Sequence, residues 1–163
     1  TMDKAEYIPD VEGVWAFDID LKGSDAVRKA TLSTPLGDSG ATLEYVEISP
    51  ISVYVIGEFP LQKEETEAVD GKGETILAET FVHAPDFAGL KMKDGSLLTY
   101  IINGGTVGYP DSEKEVYRWA FGITPAVNPE EVEALLFQKS TPELNDRGTF
   151  EYKEEDLYVV PVP

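Results

Sequence analysis

Two stretches of strict alternation constrain the fold of this chain more than any other feature. Trp15, Phe17, Ile19 and Leu21 set large apolar side chains at every second residue, with Ala16, Asp18 and Asp20 between them. Tyr117, Trp119, Phe121 and Ile123 repeat the pattern far downstream. A period of two sends one set of side chains to each face of an extended chain, so both stretches read as half-buried strands. No helical periodicity of comparable length competes with them.

The rest of the chain is punctuated in the same way. Lys22-Gly23-Ser24-Asp25 turns the chain into a second strand over 27–32, and Pro35-Leu36-Gly37-Asp38-Ser39-Gly40 reads as a loop. Residues 42–59 are the most β-like. Their apolar phase is even at Val46 and Ile48, then odd at Ile51, Val53 and Val55. Pro50 sits where the phase flips, and a proline cannot donate to a ladder. The expectation is a long strand that kinks there and passes from one sheet to the other. Residues 60–74 read as a charged loop ending in the tip Asp70-Gly71-Lys72-Gly73, and 76–82 as a weaker strand. Lys93-Asp94-Gly95-Ser96 forms a hairpin turn into 97–102. Asn103-Gly104-Gly105 and Tyr109-Pro110-Asp111-Ser112 form a flexible loop. Asn128-Pro129-Glu130-Glu131 has an N-cap, a proline in first position and acids in the first turn, so one helical turn is expected before a strand at 134–137. A last pairing segment is expected within 149–160.

Short strands separated by turns predict an all-β fold, an antiparallel immunoglobulin-like β-sandwich with one short helical turn near 129–133. Residues 1–12 read as a linker and 13–163 as a single domain, with Trp15, Phe17, Ile19, Val46, Ile48, Trp119 and Phe121 in the core. The 163 residues suffice for a core without staples, and with no cysteine there is neither disulfide nor thiolate ligand. The opening Thr1-Met2-Asp3-Lys4 reads as a boundary within a longer chain, which leaves any targeting or membrane segment upstream.

Charge excludes one class of partner. Thirty-one acids against thirteen bases give a net charge of −18, and such a field repels nucleic acid. Chemistry finds little purchase. His83 is the only histidine; no Gly-x-Ser-x-Gly elbow accompanies it, and a zinc site needs more nitrogen or sulfur ligands than it supplies. Asp18 and Asp20 share a strand face where charges belong in any case. Asn103-Gly104-Gly105-Thr106-Val107-Gly108 lacks the lysine and the following helix of a phosphate cradle. Glu64, Glu65, Glu67 and Asp70 form the densest acidic stretch, without the spacing of a calcium loop. The reading is therefore non-enzymatic, with no catalytic residue, cofactor or metal. Tyr100, Tyr109, Tyr117 and Trp119 are the aromatic residues from which a sugar-stacking platform could be built; Tyr117 and Trp119 fit the core face better, and Tyr109, beside Pro110 in a loop, is the ligand-contact candidate.

Several segments resemble a known extracytoplasmic domain. Trp15-Ala16-Phe17-Asp18-Ile19, the run from Leu43 through Val46-Glu47-Ile48-Ser49-Pro50, Gly89-Leu90-Lys91-Met92-Lys93-Asp94-Gly95 through Gly104-Gly105, and Tyr117 to Phe121 followed by Val127 to Phe137 carry the likeness, over roughly residues 13–138. The domain it resembles lies at the C-terminal side of membrane-anchored, anti-sigma-factor-like proteins of Gram-positive bacteria. The resemblance implies an immunoglobulin-like sandwich outside the cell membrane, tethered by an upstream helix, that senses or contacts a protein or cell-envelope ligand. It transfers no binding residue. The alternatives are a cell-surface spacer or adhesion module and a carbohydrate-binding module.

If the acidity serves only solubility, calcium chloride and sodium chloride will shift the melting temperature equally at matched ionic strength, because screening acts on all exposed charges alike. A calcium-specific rise that vanishes on combining Glu65→Gln with Glu67→Gln would instead reveal a metal site.

Overall fold

The phase flip at Pro50 is the signature of a hairpin. In the computed structural model, which describes residues 26–144 and 150–163, β2 (Thr42–Ser49) and β3 (Ser52–Glu58) pair antiparallel, with Ile48 opposite Val53 and Val46 opposite Val55. Partners whose numbers sum to an odd value place even residues of one strand beside odd residues of the next. One continuous apolar face therefore changes parity across a two-residue turn. Pro50 supplies its preset φ inside that turn, and Ser49 Oγ meets Ser52 Oγ at 2.6 Å across its base. The expected sheet-crossing kink is thus corrected: both strands lie in one sheet.

Numbered in chain order, that sheet also holds β1 (Arg28–Pro35), β8 (Ile102–Gly108) and β9 (Val116–Ile123), in the order β1-β2-β3-β9-β8. The second sheet runs β13 (Leu157–Pro161), β10 (Val132–Gln138), β6 (Phe87–Met92), β7 (Leu97–Thr99). All their pairings are antiparallel. The chain changes sheets at Tyr100 and again between β9 and β10, not at Pro50. Thr99 pairs with Gly89 in the second sheet, Ile102 pairs with Ile123 in the first, and Tyr100 between them has φ +60°. That left-handed corner is sparsely used by aromatic residues. It also means that Asn103-Gly104-Gly105 lies in an edge strand and not in the expected loop.

Two smaller units complete the described residues. β4 (Lys63–Val69) and β5 (Thr75–Phe81) form a two-stranded ribbon closed by the tip around Asp70-Gly71. The middle of the stretch 60–74 is therefore strand and not loop. Its repeated glutamates are poor strand formers but tolerable on a ribbon where both faces meet water. β11 (Glu143–Leu144) and β12 (Phe150–Glu151) make a short pair. The expected helical turn is a 3-10 turn, Pro129–Glu131, with the Asn128 side chain accepting from the Glu130 N–H, and it leads directly into β10. The linker 1–12 and the alternating strand 15–21 fall outside the described residues.

Between the two sheets lies the core. Val46, Ile48, Val53, Val55, Tyr117 and Trp119 from one sheet and Leu90, Val132, Leu135 and Phe137 from the other are buried in one cluster. Trp119 packs edge-on against Phe137 with centroids 5.5 Å apart, and Phe87 stacks on Phe121 at 5.5 Å. These contacts span the sheets. Of the core residues expected from sequence, Val46, Ile48 and Trp119 are fully enclosed and Phe121 is half-buried against the cluster. No charged residue is buried among the described residues. Arg28 locks one margin: its guanidinium donates to the carbonyls of Val132 and Val162 at 2.6 Å each, joining the first strand of one sheet to the second sheet.

Removing the Trp119 side chain deletes the central inter-sheet contact. Trp119→Ala is expected to cost ~3–5 kcal/mol, as other truncations of buried aromatics do. A urea melt with an unchanged midpoint would refute this core assignment.

Candidate functional site

Loops gather at one end of the sandwich and enclose an open cleft of about 580 Å³. The β1–β2 loop contributes Ser39 and Gly40, the β3–β4 connection Gln62, the β5–β6 connection His83 and Asp86, and the stretch after β10 Lys139 and Ser140. Each loop adjoins at least one strand rooted in the core, β6 in the case of His83 and Asp86, so a rigid scaffold positions variable polar groups. The walls are mostly neutral hydrogen-bonding groups, amides and hydroxyls, with one carboxylate, one ammonium and one imidazole.

The wall carrying His83 is bolted to the core. Trp119 donates its indole N–H to the Pro85 carbonyl at 2.9 Å, and the Tyr117 hydroxyl lies 3.1 Å from His83 Nδ1, within hydrogen-bond reach. Tyr117 is fully enclosed, and the loss of solvent around its phenol, with Asp86 nearby, pushes its pKa up to about 12.

The opposite wall is built around Tyr158. Its hydroxyl donates to Asp38 Oδ1 at 2.6 Å; this bond holds Asp38 below the usual carboxylate range and pushes the Tyr158 phenol up. Gly37 lies against the Tyr158 ring with φ +57°, where a β-carbon would overlap the ring. Glycine is needed there for both backbone and space. Beside it, Ser140 Oγ donates to Asp156 at 2.8 Å, which lowers the Asp156 pKa.

The sequence-derived candidates scatter around this cleft. Tyr109 packs among Phe59, Phe81 and Tyr117, and its hydroxyl donates to the Pro60 carbonyl at 2.7 Å. It supports the cleft floor from behind, while Tyr117 and Trp119 belong to the core. Glu64, Glu65 and Glu67 alternate along β4, and Asp70 at the ribbon tip accepts from the N–H groups of Glu74 and Lys72, which lowers its pKa. No group of three His, Cys, Asp or Glu side chains among the described residues is placed to hold a metal ion. Gln62, Lys139, Ser140 and Tyr158 escaped sequence reasoning: they are unremarkable polar residues drawn together from distant segments.

Comparison with protein-family models, curated proteins and solved structures finds no match for this chain.

Tyr117 links cleft and core in a measurable way. Its folded pKa stands above the ordinary phenol value of ~10, so between pH 10 and about 12 the native state keeps a proton that the unfolded chain has lost. Stability must fall as pH rises through that window. Tyr117→Phe is expected to begin ~1 kcal/mol less stable, for the lost hydrogen bond, and to show a shallower decline above pH 10. Parallel slopes in pH-dependent urea melts would refute this.

Proposed function

We propose that this chain is the non-enzymatic binding domain of a larger, membrane-anchored regulator, placed outside the cytoplasm, and that the loop-end cleft contacts its ligand. The cleft itself carries the reading: several loops on a rigid all-β scaffold converge on a concave, polar, water-accessible surface. Such a surface suits recognition by many hydrogen bonds. The sequence resemblance to the extracytoplasmic domain of anti-sigma-factor-like proteins supports the setting and the immunoglobulin-like comparison. His83 Nδ1 is paired with the hydroxyl of Tyr117, a side chain enclosed in the core, an arrangement that supports the non-catalytic reading.

A second reading, carbohydrate binding, draws on one observation. Gln62, Gln138, Ser140 and the Tyr158 ring line the same cleft, and amides and hydroxyls beside an aromatic face are groups that sugars satisfy. The spacer reading has no comparable feature in its favour.

Melting-shift screens of the purified domain against peptides, glycans, cell-wall fragments and divalent cations will separate these readings. Ligand at a hundred times its Kd stabilises by ~2.7 kcal/mol. The expected hit loses most of that shift in Asp86→Asn and Lys139→Ala, both exposed and replaceable without unfolding. A hit unaffected by either variant would move the ligand site away from the cleft, and a glycan hit would favour the second reading.

A further inference from the structure

The edges of the sheets are not equally protected. Exposed strand edges invite pairing with other chains, and proteins blunt them with charge, proline, irregular register or short length. β1 carries Arg28, Lys29 and Pro35 and slips register between Thr31 and Thr34. β13 has five residues and includes Pro161, and β7 has three. The ribbon strands carry Lys63, Glu64, Glu65, Glu67 and Glu79. Among the described residues β8 is the last strand of its sheet, and it has none of these devices over most of its length. Its seven residues include no charge and no proline, and its one irregularity lies at its start, between Ile102 and Gly104.

Sequence and surface agree on how unusual this edge is. Residues 95–110 hold no charged side chain, the longest such run in a chain of net charge −18. Ile102, Asn103, Gly104, Gly105 and Thr106 are all exposed. At Gly104 and Gly108 nothing lies within 4 Å of where a side chain would begin, so another backbone can approach closely. From this we infer that β8 is a docking edge for an extended peptide segment of a basic partner, which adds as a further antiparallel strand.

Charge sets the partner and its direction. Beyond Gly108 come Asp111, Glu113 and Glu115, with Glu58 at the end of β3 close to the same corner. Lys114 is taken by Asp111 at 2.9 Å, which leaves Arg118 as the cation beside Gly108 in the ladder. At the Ile102 end Ile123, Gly122 and Ser52 are the neighbours in register, and among the described residues the single acid Glu151, beside Tyr100, stands against the four carboxylates of the other corner. A segment antiparallel to β8 begins at the acidic corner, so its lysines or arginines belong at its N-terminal end. A second copy of this chain fits less well, because two bodies of charge −18 repel.

The test uses the acetylated peptide Lys-Lys-Thr-Val-Thr-Val-Thr-Val-Gly and its reverse, titrated into the isotope-labelled domain and followed by NMR. The forward peptide is expected to shift the amides of 102–108 and to slow exchange at alternate positions there, with the reverse peptide binding at least threefold more weakly. Thr106→Lys should raise Kd tenfold or more, as a charge does on any protected edge, while Thr106→Val keeps binding; melting curves confirm that both variants fold. Three outcomes overturn the inference: shifts that avoid 102–108 or are absent at millimolar peptide, equal affinity in Thr106→Lys, or concentration-dependent dimerisation through β8 without peptide, which would make a second copy the occupant.

Discussion

The structure depends on two buried rings that end in polar atoms. Trp119 and Tyr117 alternate into the space between the sheets and are wholly enclosed, so their N–H and O–H must find partners inside the protein. They find them in the connection between β5 and β6, at Pro85 and His83. One demand, that no buried polar atom go unpaired, therefore fixes both the centre of the core and one wall of the cleft. The ring contacts continue from Tyr109 through Tyr117 and Trp119 to Phe137 and Phe87.

The acidity is arranged and not merely abundant. Charges are kept out of the core and off residues 95–110, and they gather on the ribbon and at the loop end. A neutral edge beside an acidic corner differs in meaning from a uniformly acidic surface, which would only keep copies apart. Arg28 shows the complementary use of charge. A guanidinium with several fixed donors can cap carbonyls from different segments at once, and here it holds the chain's last residues against β1 and β10.

Much of this was legible in the residues. The alternation of Tyr117, Trp119 and Ile123, the helical turn before β10 and the hairpin at Lys93-Asp94-Gly95-Ser96 follow from local chemistry, since side-chain periodicity, capping and turn preference act over a few residues. The reading faltered where local signals are ambiguous. A phase flip at a proline fits a kink or a two-residue hairpin equally, and only cross-strand pairing of Ile48 with Val53 tells them apart. Glycines in sequence suggest a loop, yet Gly104 and Gly105 lie in a strand because β9 offers them a ladder.

By itself, then, the sequence determined an all-β antiparallel chain with an aromatic core, no cysteine and a strongly negative net charge, because composition and short-range periodicity are properties of neighbouring residues. The tertiary structure alone decided which strands share a sheet, that the chain crosses between sheets at Tyr100 and again after β9, that β8 is a sheet edge among the described residues, and that Ser39, Gln62, His83, Asp86 and Lys139 line one cleft. Those are long-range pairings, set by how two twisted sheets bury their common face, and no residue carries its future neighbour in its own local preference.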